Sequence, residues 1–205
     1  VGAISHDLRT PLTRMRFRVE DLPEDAEEAR TGLLRDMDEM EQMIRSVLLF
    51  LRDAGQAGTR ETLDLASLVQ DVVEDAVFVG HPATMATSTP ALVDVDAIAL
   101  RRVLSNLVEN AVKYGSNARL RLHGTRDEAV VEVQDEGPGI DEAELEQVFR
   151  PFYRTRAAQS AGAAGHGLGL AVCRSIARAH GGDVRLRNAP EGGLVAELRL
   201  PLAPV

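Results

Sequence analysis

Two asparagines in the segment NLVENAVKYG, residues 106–115, have the type and spacing to bind a metal ion. Asn106 and Asn110 are four residues apart, so they lie on one face if the segment is helical. Asparagine inside a helix costs roughly 0.5 kcal/mol relative to alanine, so a pair of them needs a reason. Their amide oxygens suit Mg²⁺, which takes its remaining oxygens from water and phosphates. A solvated polar face is the alternative interpretation.

A carboxylate followed by two glycines occurs in the segment DEGPGI, residues 135–140. Asp135 ends a predicted strand, and Gly137 and Gly139 allow the backbone to approach a ligand closely. A carboxylate at a strand end can accept a hydrogen bond from an exocyclic amine. An ordinary turn would explain the same residues equally well.

Three alternating glycines in GHGLGL, residues 165–170, come directly before a predicted helix. They are Gly165, Gly167 and Gly169. The free N–H groups and positive dipole end of a helix N-terminus suit phosphate. The segment is not the dinucleotide-binding fingerprint, because a polar loop precedes it and the glycine spacing differs. Hinge glycines are the alternative interpretation.

The segment VFRPFYRTRAAQSAGAAG, residues 148–165, is rich in alanine, glycine and serine toward its end. Such a composition predicts a lid that orders over a ligand, with a disordered insertion as the alternative. Phe149 and Phe152 are predicted to anchor one end of this lid. The side chains that could face phosphates are Arg150, Arg154 and Arg156.

The segment SHDLRTPLTR, residues 5–14, carries a histidine followed by an aspartate inside a predicted helix. His6 projects off the apolar stripe of this helix, and Thr10 lies one turn away on the same side. Pro11 removes a backbone hydrogen bond to Asp7, at a cost of about 3 kcal/mol in an ordinary helix. We hypothesise that the resulting bend lets the helix flex between two activities.

The overall composition limits the kinds of partner that this chain can bind. With 205 residues the chain can bury a sizeable core, and its net charge of −9 argues against general nucleic-acid binding. No run of about 18 apolar residues occurs, which predicts a soluble segment. The lone Cys173 cannot form an internal disulfide and is predicted to be a core residue.

Residues 1–54 are predicted to form an antiparallel helical hairpin. Apolar residues recur at helical spacing on both sides of Pro23, which breaks the helix. Stripes this wide cannot be covered within one hairpin, whereas two copies would close into a four-helix bundle. We therefore predict a homodimer through residues 1–54.

A second domain is predicted over residues 63–205, after a glycine-containing linker at residues 55–62. The helices predicted there begin near Ala66, Asp96 and Leu168. Strands are predicted at TLDL, ARLRLHGT, AVVEVQD and in a closing hairpin, whereas residues 82–96 are predicted as weak strand or loop. A short helix with a capping box of Asp141 and Glu144 is also predicted. Hairpin-paired strands with helices between them favour an α+β layered fold over a doubly wound parallel sheet.

Taken in order, these motifs resemble the catalytic core of bacterial sensor histidine kinases. The order is His-Asp-x-x-x-Pro, Asn-x-x-x-Asn, Asp-x-Gly-x-Gly, Phe-x-x-Phe and Gly-x-Gly-x-Gly, over essentially the whole chain. The SHDLRTPLTR segment is especially similar to osmosensor-type transmembrane members. The resemblance implies a dimeric four-helix bundle followed by the two-layer ATP-binding sandwich that is shared with gyrase, the Hsp90 chaperone and MutL.

The resemblance also implies a role for each matching residue. His6 would accept the phosphoryl group, Asp7 would be the acid beside it, and Thr10 would act in dephosphorylation of the partner. Asn110 would be the main Mg²⁺ ligand with Asn106 beside it, and Asp135 would accept from the adenine amine. The other residues implied to bind ATP are Lys113, Tyr114, Gly137, Gly139, Arg154, Gly165, Gly167, Leu168 and Gly169.

The same resemblance implies a two-component kinase with ATP and Mg²⁺ as cofactors and a response-regulator receiver domain as partner. The full-length protein would be anchored in a bacterial inner membrane, with this portion in the cytoplasm. Two alternatives remain: an ATP-hydrolysing machine of the same fold, and a nucleotide-binding dimerisation scaffold. The first is disfavoured because those relatives carry a glutamate base where this chain has Asn106, and an amide cannot accept a proton.

Overall fold

The structure, a computed structural model, describes residues 13–20, 22–23, 26–53, 59–160 and 166–204. The chain forms two compact units, Val1–Gly55 and Gln56–Val205. The described residues do not include His6, Asp7, Thr10 and Pro11, and the hypothesised proline bend therefore lies outside them.

The first unit contains two helices, α1, described over residues 13–20, and α2 (Glu27–Asp53). Leu22 and Pro23 are not helical, which confirms the predicted break. Val19 and Met37 are buried, and Arg16 pairs with Asp38 across the two helices. Among the described residues of this unit, four large apolar side chains are nevertheless exposed in the single chain: Met15, Phe17, Leu33 and Met40.

The second unit is built on a five-stranded mixed sheet. Its strands, in their order across the sheet, are β2 (Ala83–Ser88), β4 (Ala118–Gly124), β5 (Glu128–Gln134), β7 (Leu194–Pro201) and β6 (Asp183–Asn188). β2 runs parallel to β4, and the other neighbouring pairs are antiparallel. A separate two-stranded ladder joins β1 (Glu61–Asp64) to β3 (Leu92–Val95). Strand β5 begins at Glu128, one residue before the predicted segment AVVEVQD.

Three helices pack on the sheet and close the core: α3 (Leu65–Phe78), α4 (Ala97–Gly115) and α6 (Gly169–Ala179). Asp64 and Asp96 cap α3 and α4 through carboxylate bonds to backbone N–H groups, as expected of aspartate at this position. The most buried side chains come from these helices and from alternate positions of the strands. They include Leu65, Leu100, Leu104, Leu107, Leu120, Leu122, Leu198 and Leu200.

The predicted α+β architecture of the second unit is confirmed, with helices where the apolar periodicity places them. The apolar residues Leu68, Val69, Val72, Val73 and Ala76 of α3 are all buried, and Cys173 is fully buried in α6. Burial raises the pKa of the Cys173 thiol to about 12, so this cysteine is an inert core residue.

Residues 82–96, which were predicted as weak strand or loop, contain two regular strands, β2 and β3, because Pro82 and Pro90 precede the strands rather than interrupting them. The prediction of a short helix over residues 141–149 was wrong. The segment 141–149 contains only a 3₁₀ turn at Gln147–Phe149. The capping box does not form, because the Glu144 carboxylate accepts bonds from the Tyr153 hydroxyl and the Arg156 N–H instead.

Candidate functional site

The two asparagines of α4 face the first residue of α6. A Cβ added to Gly169 would lie 3.6 Å from Asn106 Oδ1 and 3.9 Å from Asn110 Nδ2. Both amides are half-buried, whereas the residues packed on the other side of α4 are fully buried, as the periodicity predicts. The amides thus lie beside a helix N-terminus instead of pointing freely into solvent.

The N-terminus of α6 has no side-chain cap. Leu168 is the residue before the helix, it is buried, and no side chain among the described residues accepts from the first N–H groups. These donors and the helix dipole are therefore available to an anion. Gly167 has a φ of +68°, and a Cβ there would lie 2.5 Å from the Tyr153 carbonyl oxygen, so glycine is required at this approach.

The carboxyl group of Asp135 is buried at the end of β5. Its side chain is only 6 % exposed, and Oδ1 accepts bonds from Gly137 N–H (2.8 Å) and Leu194 N–H (3.1 Å). Burial raises the pKa of Asp135, against the opposing effect of these two bonds. Both bonds reach the same oxygen, so Oδ2 is left for a donor from a ligand, such as an exocyclic amine.

Glycines bring the loop after Asp135 against the end of α4. A Cβ added to Gly137 would lie 2.6 Å from the Tyr114 carbonyl oxygen and 3.0 Å from Asp135 Oδ1. Gly139 has a φ of +75°, which few residues other than glycine adopt. The adjacent end of α4 carries Lys113 and Tyr114, with Lys113 Nζ 4.9 Å from the centroid of the Tyr114 ring. This ring is 43 % exposed and therefore accessible to a planar ligand.

The chain between residues 147 and 160 is fastened at its base by backbone contacts. Phe149 is buried, and the guanidinium of Arg174 lies 4.4 Å from its ring centroid. Phe152 is 56 % exposed, and it holds this segment through its backbone N–H, which donates to the Gly167 carbonyl (3.0 Å), rather than through its ring.

Arg154 lies just before the short helix α5 (Arg156–Ser160). Its guanidinium donates to the Ala158 carbonyl (3.2 Å), so this group is engaged locally. A role for Arg154 in phosphate binding stays a prediction. The roles of His6, Asp7, Thr10 and Gly165 also stay predictions, since these residues lie outside those described.

Three residues of this site escaped the sequence analysis. Gly115 contacts the Asp135 carboxyl group, Leu194 binds the same group through its backbone, and Asn188 holds Ile140. The only sequence signal was the glycine that ends α4. Asn188 lies 48 residues along the chain from its partner Ile140, and Leu194 lies 59 residues from Asp135, so nothing in their local pattern reveals the contact.

The donor set suits Mg²⁺ bound together with a phosphate group. Asn106 and Asn110 offer hard amide oxygens, and the missing side chain of Gly169 leaves space between them and the N–H groups of α6. Within the described parts of the chain, no three His, Cys, Asp or Glu side chains cluster as a separate metal site.

Two family models match the chain and together span most of it. "His Kinase A (phospho-acceptor) domain" matches residues 1–56. "Histidine kinase-, DNA gyrase B-, and HSP90-like ATPase" matches residues 95–204. Among the described residues, no helix combines the length and hydropathy needed to cross a bilayer.

Curated relatives align along nearly the whole chain. Sensor histidine kinase GtrS of Pseudomonas aeruginosa is 41% identical over 200 residues, which cover 98% of this chain and 41% of that protein. Sensor histidine kinase CpxA of Escherichia coli is 31% identical, covering 97% of this chain and 46% of that protein. The chain therefore spans less than half the length of either relative.

Solved structures of histidine kinases are also similar to this chain. Full-length ShkA in complex with AMPPNP superposes with a TM-score of 0.74 at 25% identity, covering 100% of this chain and 46% of that one. The mycobacterial sensor histidine kinase MprB superposes with a TM-score of 0.62 at 26% identity, covering 71% of this chain and 99% of that one. The motifs, the fold and these relatives agree, and the chain belongs to the bacterial sensor histidine kinases, of which it comprises the catalytic core.

Proposed function

We propose that this chain uses ATP to phosphorylate its own His6 and then passes the phosphoryl group to an aspartate of a response-regulator receiver domain. The observation that carries the proposal is the placement of Asn106 and Asn110 beside the uncapped N-terminus of α6. Amides and free N–H groups suit Mg²⁺ and phosphate, while the buried Asp135 carboxylate suits the amine of adenine.

In the proposed transfer, a neutral His6 imidazole attacks the γ-phosphorus. A nitrogen–phosphorus bond forms, the bond to the leaving ADP oxygen breaks, and Asp7 accepts the proton from the other ring nitrogen. Lys113 and Arg154 would offset charge on the transferring group. Asn110 and Asn106 would hold Mg²⁺, which would supply neutralisation of phosphate charge, so that catalysis would rest mainly on positioning and electrostatics.

The amide at position 106 supports a kinase over an ATP-hydrolysing machine. Water attack needs a base that can take a proton, and the Asn106 side chain cannot act as one. The remaining ATP contacts that we propose come from Tyr114, Gly137, Gly139, Gly165, Gly167, Leu168 and Gly169.

Residues 1–54 are proposed to form the dimerisation and phosphotransfer hairpin, followed by a linker at 55–62 and the ATP-binding domain at 63–205. The apolar side chains exposed on the single hairpin support a homodimeric bundle. Thr10 would position water for dephosphorylation of the regulator as a companion activity. We further propose that the longer protein is anchored in a bacterial inner membrane, with this portion in the cytoplasm.

Labelling by γ-labelled ATP tests the proposal directly. Incubation with Mg²⁺ should yield a phosphate that is labile in acid and stable in alkali, and His6→Gln should abolish it. Label that persists in His6→Gln would contradict the assignment of His6. Release of free phosphate by both proteins without labelling would instead favour the ATPase alternative.

A further inference from the structure

The hairpin of β6 and β7 holds both ends of the loop 135–140. Asn188 and Leu194 are paired opposite each other at the end of this hairpin that adjoins its turn, residues 189–193. At one end of the loop, the Asp135 N–H donates to the Leu194 carbonyl (3.0 Å), and the Leu194 N–H donates to Asp135 Oδ1 (3.1 Å). The carboxylate is thus held by backbone alone.

At the other end of the loop, the Asn188 side chain pairs with the backbone of Ile140 in the way that a neighbouring strand would. The Ile140 N–H donates to Asn188 Oδ1 (2.9 Å), and Asn188 Nδ2 donates to the Ile140 carbonyl (2.8 Å). Both polar atoms of the Asn188 side-chain amide are therefore hydrogen-bonded to the backbone of a single residue, Ile140. This approach depends on the preceding glycine, since a Cβ added to Gly139 would lie 2.5 Å from Asn188 Oδ1.

We propose that Asn188 is a positioning residue of the nucleotide-base site, which sets the affinity for adenine and the discrimination against guanine. This inference rests on the proposed ATP-binding function. Adenine offers an amine to Asp135 Oδ2, whereas guanine offers a carbonyl oxygen at the corresponding position, which a carboxylate repels. The repulsion discriminates only if the loop cannot move aside, and Asn188 fixes the end that the backbone of Leu194 does not hold.

Asn188 lies where its side chain can hold the loop while contributing little to the stability of the sheet. Asn188 is exposed, and the β6–β7 ladder continues through five further residue pairs without using its side chain. Exposed hydrogen bonds contribute little to the free energy of unfolding. Loss of the Asn188 amide should therefore free the loop without disrupting the sheet.

Thr125 provides a matched control at the opposite end of β5. Its hydroxyl oxygen accepts from the Glu128 N–H (3.1 Å) and lies 3.1 Å from the Glu128 carbonyl, to which it donates. It is likewise an exposed side chain that binds both backbone groups of one residue. The seven residues of β5 put Thr125 roughly 20 Å or more from Asp135.

Equilibrium binding of ADP and GDP to the full chain tests the inference, with thermal unfolding of the free proteins measured in parallel. Asn188→Ala should bind ADP roughly tenfold more weakly, with a smaller ratio of ADP to GDP affinity. Asn188→Asp keeps the side-chain volume but turns a carboxylate toward the Ile140 carbonyl, so it should also weaken ADP binding. Thr125→Ala should keep both affinities.

Each opposite outcome has a distinct meaning. Unchanged ADP affinity in both Asn188 variants, or an equal loss of ADP and GDP affinity, would overturn the role of Asn188. Failure of the unmodified chain to bind ADP would contradict the proposed nucleotide site itself. The unmodified protein thus distinguishes failure of the proposed function from failure of the inference.

Discussion

Gly115, the last residue of α4, lies in direct contact with the carboxyl group of Asp135 at the end of β5. A Cβ added to Gly115 would lie 2.6 Å from both Cγ and Oδ1 of Asp135. The helix that carries the asparagines and the strand that carries the buried carboxylate therefore meet without an intervening side chain. This contact fixes the distance between the two halves of the candidate nucleotide site.

Gly115→Ala is expected to displace Asp135 and to weaken ADP binding more than tenfold, because the added methyl group overlaps the carboxyl group. Overpacking of this kind costs about 1–3 kcal/mol of folding free energy. Isothermal titration with ADP and urea unfolding would measure both effects. Gly124→Ala is the matched control, since nothing lies within 4 Å of a Cβ there. Normal binding by Gly115→Ala would show that Asp135 does not need its present position.

Asp135→Asn should separate nucleotide binding from stability. The amide oxygen can still accept from Gly137 and Leu194, but Nδ2 would meet the adenine amine with a second donor, so ADP affinity should fall at least tenfold. Thermal unfolding without nucleotide should be unchanged or occur at a higher temperature at neutral pH.

The sign of the stability effect follows from the pKa of Asp135, which burial raises above its unfolded value. A carboxyl group whose pKa is higher in the folded state contributes fully to the free energy of unfolding only below its unfolded pKa. This contribution is lost as the pH rises through the folded pKa. At neutral pH the ionised carboxylate is therefore held at a cost that asparagine removes. A clear loss of thermal stability in Asp135→Asn at neutral pH would contradict this explanation.

Asn110→Ala is expected to remove Mg²⁺-dependent labelling by ATP while leaving the fold intact. Asn110 is half-buried beside Gly169, so its truncation removes a proposed ligand without opening the core. The measurement is incorporation of phosphate over a range of Mg²⁺ concentrations, with circular dichroism as the check on folding. Glu109→Ala, at the exposed neighbouring position, is the control. Labelling by Asn110→Ala at the normal Mg²⁺ requirement would exclude Asn110 as the main ligand.

Periodicity was enough to predict α3, α4 and α6 and their buried faces. Each of these helices carries an apolar stripe, and Asp96 before α4 is a recognisable cap. The position of Asp135 at a strand end was also predictable, because β5 alternates and then reaches a glycine turn. These are local signals, and the residues that produce them are near neighbours along the chain.

The contacts that complete the site could not be predicted in this way. Asn188 and Leu194 reach the loop after Asp135 only because β7 pairs with β5, a relationship set by sheet order. Strand β2 was predicted only as weak strand or loop, because it is largely exposed and shows no clear alternation. The capping box was wrong because Glu144 finds partners beyond its own segment, at Tyr153 and Arg156.

Asp183→Asn should destabilise the second unit at neutral pH and lose this effect in acid. Burial alone would raise the pKa of Asp183, but its bonds to Arg174 and Arg178 outweigh burial and lower the pKa. The stability from such a group is present above the unfolded pKa, near 3.9, and is lost as the pH falls through the lower folded pKa. The cost at pH 7 should be about 1–3 kcal/mol.

Urea unfolding of both proteins at several pH values would measure this difference. Asp71→Asn is the control, because Asp71 also pairs with an arginine, Arg101, but at an exposed site where such pairs contribute less than about 1 kcal/mol. A penalty for Asp183→Asn that stays constant as the pH falls below about 4 would contradict the ion-pair explanation.

The hydrogen bond from Tyr153 to Glu144 can be detected by titration of the phenol. The Tyr153 hydroxyl donates to Glu144 Oε1 (2.7 Å), and this bond is the main reason that the pKa of Tyr153 is raised. The chain has two tyrosines and no tryptophan, so a Tyr114→Phe variant leaves one phenol in the ultraviolet spectrum. That phenol should ionise above its ordinary value of about 10.

Glu144→Ala in the same background should move the pKa of Tyr153 back toward its ordinary value, whereas Glu142→Ala, at an exposed neighbouring site, should leave it raised. An unshifted phenol in the presence of Glu144 would show that the bond does not form in solution. The consequence for function follows from the same carboxylate, which also accepts from the Arg156 N–H (3.3 Å). Glu144 thus binds Tyr153 and Arg156, which lie on either side of Arg154 in the chain. Loss of the Glu144 carboxylate should therefore release the segment that carries Arg154. ATP binding should weaken, because Arg154 contacts phosphate in our proposal.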